Sequence, residues 1–144
     1  GMGFGNSMAA LAHGLGHSLG AVFHVPHGRA VSLFLPYVIE FCARGDAGTT
    51  CYACMARYLE LPSSNEMEAA AGLAQAIRKL EADLDQPRSL ADCGISRQDL
   101  AKELELLVFN TGNDSSTVSS TRIPDDAETR RLYEYALDGR SIDF

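Results

Sequence analysis

The sequence lacks tryptophan and holds only twelve basic residues, against nineteen acidic ones, in a chain of 144 residues. The resulting formal net charge of −7 argues against nucleic acid and anionic membranes as partners, because both attract basic surfaces. No apolar run approaches the ~18 residues that a membrane-spanning helix needs. A basic, apolar secretion signal is missing as well. We therefore expect a cytoplasmic protein that binds neither nucleic acid nor membrane.

Cysteine is scarce too, with four residues at positions 42, 51, 54 and 93. In a chain without a secretion signal, they are expected to be reduced. Cys51 and Cys54 form a CxxC pattern in a stretch that is predicted to be helical, with no strand before it and no second CxxC. A thioredoxin-like or zinc-binding role stays open, but the context favours two small apolar residues of a helix.

The length and the patterning predict an all-α protein. A chain of 144 residues fits one domain and can bury a core without crosslinks. No stretch alternates strictly between apolar and polar residues, and no strand–helix–strand rhythm appears. We expect a multi-helix bundle of five to seven helices that forms a single domain over residues 1–144.

Helix boundaries in the first third of the chain are marked by capping residues and by proline. Asn6 or Ser7 caps a first helix, which is expected to extend to about Val22. A second helix is expected over residues 28–45. Pro36 lies inside its apolar pattern, so a kink or a break is expected there. A third helix is expected over residues 50–60.

A fourth helix is the most clearly patterned of the chain. Asn65 and Glu68 have the spacing of a capping box. Four apolar residues then recur at helical spacing and predict one buried face: Leu73, Ile77, Leu80 and Leu84.

The C-terminal third contains two further helix starts separated by a polar segment. Ser96 with Asp99, and Asp125 with Glu128, have the spacing of capping pairs. The last helix is expected to extend to residue 137 and to end at the following glycine. Residues 110–124 are rich in Ser, Thr, Asn and Gly and predict a long ordered loop, a kind of segment that is often functional.

All four histidines fall within fifteen residues, at positions 13, 17, 24 and 27. His13 and His17 are four residues apart on a predicted helix and so share a face. His27 follows Pro26, and a tight turn there would fold it back beside the first helix. Imidazole is the commonest protein ligand for zinc and divalent iron. A histidine on a helix is nevertheless usually structural, and the HxxxH pair lacks the glutamate of HExxH, so the spacing alone leaves both interpretations open.

Three glycines, Gly14, Gly16 and Gly20, lie among these histidines. Glycine inside a helix costs roughly 0.5–1 kcal/mol relative to alanine. A helix that tolerates three of them is expected to have something large close to its backbone, such as a cofactor, a substrate or another helix.

Residues 1–28, GMGFGNSMAALAHGLGHSLGAVFHVPHG, closely resemble the second signature of the iron-containing (group III) alcohol dehydrogenase family. That signature has a glycine-rich opening, then His-Gly-x-x-His-x-Leu-Gly, then Pro-His-Gly. The segments AVSLFLPYVIEF at 30–41 and LYEYALDG at 132–139 fit the C-terminal half of the family more loosely. The resemblance implies the helical, dehydroquinate synthase-like C-terminal domain of these enzymes.

The resemblance also implies roles for single residues. His13 and His27 match the two histidine ligands of a metal ion, which is Fe²⁺ or Zn²⁺ in the family. His17 matches a histidine that assists the substrate or proton transfer, and Phe4 matches an aromatic residue of the substrate pocket. His24 lies where the family varies and is expected to be solvated or at the edge of the cleft.

Beyond the signature, the match to the family is partial: one loop has a counterpart in this sequence, and other parts are not found in it. Asn110 and Gly112 correspond to a loop that approaches the cleft. Two further ligands, an Asp and a His, precede this region in the family, as does an α/β domain that binds NAD or NADP, and no GxGxxG stands in for it. We therefore expect the N-terminal nucleotide-binding domain to be absent and the metal site to be incomplete. A separate N-terminal nucleotide-binding subunit is the partner that this implies.

Three functions follow as hypotheses. The first is the metal-binding domain or subunit of an alcohol dehydrogenase, inactive alone. The second is a stand-alone helical binding protein or oligomer without redox activity, and the third is a product without function. For the isolated chain we expect a dimer, because the glycine face and Leu15 would be exposed without a nucleotide-binding domain, unless loop 110–124 folds over them.

Overall fold

The computed structural model describes residue 2 and residues 9–45 and 48–144. Within this part the chain forms six α-helices, two short 3₁₀ helices and no strand, which confirms the predicted all-α fold. The 3₁₀ helices are Ala91–Cys93 and Thr117–Ser119. The α-helices are α1 (Ala10–Phe23), α2 (His27–Cys42), α3 (Gly48–Tyr58), α4 (Glu66–Asp83), α5 (Arg97–Asn113) and α6 (Asp126–Asp138). None of the helices described is long and apolar enough to cross a membrane.

Helix α1 lies at the centre of the main hydrophobic core. Leu11, Leu15 and Leu19 recur every four residues on one face of α1 and are fully buried. They pack with buried residues from α2, α5 and α6, chiefly Leu33, Phe34, Tyr37, Leu107, Leu132 and Tyr133. A smaller cluster lies between the end of α2, α3 and α4. The rest of the molecule thus holds α1, with its histidines, in one position.

The predicted caps are present, with one difference at α4. The side chain of Asn65 accepts a hydrogen bond from the Glu68 backbone N–H at 2.9 Å. Glu68 does not return the bond to Asn65 but accepts from the Ser64 backbone N–H at 2.8 Å. The expected capping box is therefore one-sided, because an additional hydroxyl residue before the cap competes for the Glu68 carboxylate.

The other two capping pairs form as predicted. The Ser96 hydroxyl accepts from the Asp99 N–H at 3.1 Å and begins α5. Asp125 and Glu128 form a reciprocal capping box at the start of α6, which ends at Gly139 with φ of 68°. The expected cap of α1 at Asn6 or Ser7 lies outside the described residues.

Helix α2 is continuous through Pro36, so of the kink or break that the sequence predicts, the break does not occur. Pro36 is itself buried, and the flanking residues Phe34 and Tyr37 lie in the main core. Proline removes one backbone hydrogen bond, but core packing on both sides keeps the helical backbone in place. Helix α2 ends at Cys42 in a turn closed by the Gly45 N–H, which donates to the Cys42 carbonyl at 3.0 Å.

The predicted buried face of α4 is confirmed in its first half only. Leu73 is buried and Ile77 packs against the same cluster, whereas Leu80 and Leu84 are more than half exposed. Ala69 and Ala74 complete the buried side and pack with alanines of α3. The contact with α3 thus covers the first part of α4 and leaves its C-terminal leucines outside.

Helix α5 extends four residues into the segment that was expected to be a loop. Asn110 and Gly112 are helical, and the irregular segment begins at Asp114. Thr111 explains the difference, since it is fully buried and its hydroxyl is 2.8 Å from the Tyr133 hydroxyl. Tertiary packing thus extends the helix beyond the point where a polar composition predicts its end.

A carboxylate, Glu81, is buried on the inner side of α4. It is 4% exposed, and neither carboxylate oxygen has a hydrogen-bond partner. Burial raises the pKa of Glu81 to about 7, although the charges of Arg78 and Arg88 act in the opposite direction. The protonated form is therefore favoured in the fold relative to the unfolded chain.

We predict that Glu81→Gln stabilises the protein at pH 8 and has little effect at pH 3.5. Below the unfolded pKa both states carry the proton, so there is no penalty. As pH rises towards 7, the unfolded chain ionises first and folding loses stability, on the order of 2–3 kcal/mol in all. Thermal denaturation at the two pH values measures the effect, with exposed Glu134→Gln as the control. An equal stabilisation at both pH values would contradict the prediction.

Candidate metal centre

Three histidines converge at one place on the surface. The ring centroids of His13 and His17 are 5.5 Å apart, those of His13 and His27 are 5.4 Å apart, and those of His17 and His27 are 5.2 Å apart. The three imidazoles therefore form a nearly equilateral triangle. His24, the fourth histidine, is exposed and borders a different groove, with Phe23 and Arg29. The structure thus groups three of the histidines and leaves His24 apart from them and exposed, as we expect from the sequence.

A three-residue turn between α1 and α2 brings His27 to the other two. His24 ends α1 with φ of 58°, in the left-handed region, which reverses the chain. Pro26 then begins α2, and its carbonyl accepts from the Ala30 N–H at 3.0 Å. His27, as the first residue of α2, consequently lies beside the face of α1 that carries His13 and His17.

The glycines of α1 allow its neighbours to approach its backbone. A Cβ atom on Gly16 would lie 2.8 Å from Val31 Cγ2 and 3.0 Å from the Val31 backbone on α2. A Cβ atom on Gly14 would collide with the Thr117 hydroxyl. The sequence predicts a large neighbour close to the backbone of this helix. At Gly16 that neighbour is helix α2, and at Gly14 it is the polar segment that contains Thr117.

This packing corrects one expectation about the surface. Gly14 and Gly16 are buried, and Leu15 is fully buried in the core. The part of the glycine face formed by Gly14 and Gly16, with Leu15, is thus not exposed in the described structure, whereas Gly20 is partly exposed. The polar segment after α5 covers the face at Gly14, which is the alternative that we considered from the sequence.

The same polar segment is fixed to the start of α1. The Ser119 hydroxyl accepts from the Ala10 N–H at 3.1 Å, and the Ser120 hydroxyl accepts from the Leu11 N–H at 2.6 Å. These bonds satisfy two of the backbone donors that the first turn of a helix leaves unpaired. They also hold the loop that carries Asp114 against the histidine cluster.

Two of the three imidazoles are oriented through Nδ1. His13 Nδ1 is 3.0 Å from the Ala9 carbonyl, and His17 Nδ1 is 2.8 Å from Asp114 Oδ2. A carbonyl and a carboxylate are acceptors, so each Nδ1 carries a hydrogen and donates it. Such outer hydrogen bonds are the usual way in which proteins set the tautomer of a metal-binding histidine.

Burial and charge favour the neutral form of His13. Burial lowers the pKa of His13, and the nearby imidazoles of His17 and His27 lower it further, against the opposing hydrogen bond to Ala9. Burial alone would raise the pKa of Asp114, but the hydrogen bonds from His17 and Ser116 outweigh it and hold the pKa below its usual value. The ionised form of Asp114 is therefore favoured, and it accepts the hydrogen bond from His17 Nδ1.

The cluster offers imidazole donors but not a complete ligand set. Within residues 9–45 and 48–144, no three His, Cys, Asp or Glu side chains are arranged to hold a metal ion. The donor type nevertheless suits Zn²⁺ or Fe²⁺, which both accept imidazole nitrogen.

Phe4, the expected substrate-pocket residue, lies outside the described residues. The sequence analysis did not single out Asp114, because a single aspartate in a polar segment is part of no motif.

Solved structures of alcohol dehydrogenases share this fold. An alcohol dehydrogenase from Oenococcus oeni superimposes with a TM-score of 0.81 at 24% identity, over 94% of this chain and 34% of that one. An iron-containing alcohol dehydrogenase from Thermococcus thioreducens gives 0.77 at 28% identity, over 91% of this chain and 32% of that one. The fold is thus that of a helical portion of iron-containing alcohol dehydrogenases.

The amino-acid sequence defines the relationship more closely. Residues 1–137 match the C-terminal part of the Fe-containing alcohol dehydrogenase family, and the chain belongs to that family. An NADPH-dependent butanol dehydrogenase from Clostridium saccharobutylicum is 30% identical over 144 residues, which are 100% of this chain and 37% of that protein. A lactaldehyde reductase from Escherichia coli is 33% identical over 102 residues, 69% of this chain and 26% of that protein. The chain thus spans about a third of the length of these relatives.

We predict that Gly16→Ala destabilises the protein by about 1–3 kcal/mol, because the added methyl group meets the backbone of α2. The matched control is Gly72→Ala in α4, where a Cβ atom meets nothing within 4 Å. That variant is expected to gain roughly 0.5–1 kcal/mol. Urea denaturation followed by circular dichroism compares the two. Equal effects of the two substitutions would show that α1 and α2 are not in close contact at Gly16.

Proposed function

We propose that this chain supplies the metal-binding helical part of an NAD(P)-dependent, iron-containing alcohol dehydrogenase and is inactive by itself. One observation carries the proposal: three imidazoles from two helices lie within 5.5 Å of one another, and two of them are oriented through Nδ1. Membership of the family supports it. The names of the relatives suggest short alcohols and aldehydes as substrates.

In this proposal His13 and His27 hold the metal ion, Fe²⁺ or Zn²⁺. The two residues lie on different helices, so the packing of α1 against α2 fixes their separation. When bound, such an ion acts as a Lewis acid towards a substrate oxygen. Burial lowers the pKa of His13, which favours the neutral imidazole that metal binding requires. Phe4 contributes an aromatic surface to the substrate pocket.

His17 acts as a catalytic proton carrier in this proposal. Its Nδ1 donates to Asp114, so Nε2 accepts a proton from a substrate hydroxyl and returns it to solvent. The Asp114 carboxylate stabilises the imidazolium that forms in between, which is how a carboxylate assists a histidine base. His17 is partly exposed and can exchange its proton with water.

The nicotinamide cofactor and the remaining metal ligands come from outside these 144 residues. The part of the chain that the structure describes contains only helices and loops, and a dinucleotide-binding βαβ unit needs strands. In our proposal a nucleotide-binding domain, either on the same polypeptide or as a separate subunit, brings NAD or NADP. It also adds an Asp and a His to the two histidines here.

We predict that the 144-residue chain binds Zn²⁺ weakly and through the histidine cluster. Two or three imidazoles leave the ion largely hydrated, so dialysis against a chelator should remove it. Titration calorimetry should show binding that His13→Ala and His27→Ala abolish and that His24→Ala leaves unchanged. Zn²⁺ that stays bound in stoichiometric amount after chelator dialysis would contradict the incomplete site.

We also predict no alcohol dehydrogenase turnover by this chain with Fe²⁺ or Zn²⁺, NAD or NADP, and short alcohols. Hydride transfer requires a nicotinamide held in near-attack geometry, and the loss of that positioning removes many orders of magnitude in rate. NAD(P)H absorbance is the assay. Turnover that copurifies with the chain and disappears in His27→Ala would overturn the prediction.

A second candidate is a stand-alone helical protein that self-associates. It is favoured by exposed apolar residues on the outer face of α5, where Leu106 and Phe109 are 47% and 66% exposed and lie three residues apart. A symmetric dimer through this face would bury both. Light scattering at micromolar concentration should then give twice 15.5 kDa, and Phe109→Glu should return the monomer mass. A mass of 15.5 kDa at every concentration would exclude the dimer.

A further inference from the structure

Three sulfur-containing side chains share the outer face of α3. Cys51 and Cys54 are both exposed, and Met55 is 48% exposed. The three lie at positions i, i+3 and i+4, a spacing that puts side chains on one face of a helix. The buried side of α3 consists instead of Ala53 and Ala56. Both cysteines lie in a helix, as the sequence predicts, and their exposure leaves the two thiols accessible.

A fixed positive charge adjoins the sulfur face. The Arg57 guanidinium donates to Cys54 Sγ at 3.2 Å. It is also 3.9 Å from Glu66 Oε1, while the Thr50 hydroxyl donates to Glu66 Oε2 at 3.0 Å. Arg57 is thus held between α3 and the first residue of α4. Two thiolates with one monovalent cation carry a net charge of −1, and the guanidinium offsets that charge.

An apolar groove lies beside two of the three sulfur-containing side chains. Cys54 and Met55 border an open groove together with Tyr58, Leu59 and Leu73, and almost all of its lining is apolar. Such a lining favours soft, weakly hydrated ions over strongly hydrated ones, because the latter lose more solvation on binding. The groove therefore selects against ions such as Mg²⁺ and Ca²⁺, which require oxygen ligands.

Helix geometry favours a bridging cation over a disulfide. Cβ atoms three residues apart on a helix are about 5–6 Å apart, whereas a disulfide requires about 3.5–4.5 Å. Metal–sulfur bonds of about 2.3 Å on either side of a cation let two sulfurs lie up to ~4.6 Å apart. Two thiolates can therefore share a cation without distortion of α3. Thiolate and thioether donors suit soft metals such as Cu(I) and Zn²⁺. Zn²⁺ in proteins takes four ligands, whereas this face offers three, so Cu(I) fits it better.

We propose that Cys51, Cys54 and Met55 form a binding site for a soft monovalent cation, Cu(I), that is separate from the histidine cluster. Binding forms two thiolate–copper bonds and releases the two thiol protons to solvent. The thioether of Met55 adds a third, neutral donor. No electron is transferred, because copper enters and leaves as Cu(I).

The test is an anaerobic competition for Cu(I) between the full chain and a chromophoric Cu(I) chelator. We expect one equivalent of Cu(I) per chain. Cys51→Ser and Cys54→Ser should each weaken binding at least tenfold, and Met55→Leu by a smaller factor. Cys93→Ser, a partly exposed thiol elsewhere, and His27→Ala, in the histidine cluster, should bind as the unaltered chain does.

Circular dichroism of each variant distinguishes a lost ligand from a lost fold, because a folded variant keeps the helical spectrum. Folded Cys51→Ser and Cys54→Ser that retain full Cu(I) affinity would overturn the proposal. So would an equal loss in Cys93→Ser or His27→Ala, which would mean that copper binds elsewhere. Full Cu(I) affinity in Met55→Leu would show that the Met55 thioether is not a ligand of the site.

Discussion

The close contact of α1 with α2 at Gly16 and Val31 is the constraint on which the histidine cluster depends. A Cβ atom at Gly16 would come within 3.0 Å of the α2 backbone, so only glycine permits this separation of the helices. The short turn from His24 to Pro26 leaves α2 no freedom to lie elsewhere. His27 therefore lies beside α1, and the apolar faces of the two helices form the main core in the same contact.

The polar segment after α5 completes this arrangement from the opposite side. Ser119 and Ser120 accept the first backbone N–H groups of α1, and Thr117 lies against Gly14. Asp114, at the start of the segment, orients His17. The segment thus fixes both the position of α1 and the tautomer of one of its histidines. A loop that contributes little to the core is in this way essential to the geometry of the candidate site.

Local signals in the sequence predicted the helices and the histidine cluster well. Capping pairs such as Asp125 with Glu128 act within one turn, and the turn at Pro26 needs only its own residues, so both are visible in a single sequence. Features that depend on distant packing were not predicted. These include the exposure of Leu80 and Leu84 at the end of α4, the extension of α5 through Thr111, and the pairing of His17 with Asp114 across 97 positions. The roles of His13, His17 and His27 come from the family resemblance and stay predictions.

In our proposal, the hydrogen bonds at Nδ1 turn Nε2 of His13 towards the metal ion and Nε2 of His17 towards the substrate. Long-range ¹H–¹⁵N NMR of the histidine rings tests it directly. We expect Nδ1–H tautomers for both residues without metal, and on addition of Zn²⁺ a large shift of the His13 Nε2 signal while its Nδ1–H persists. Nε2–H tautomers in the metal-free protein, or a metal-induced shift at Nδ1 of His13, would contradict it.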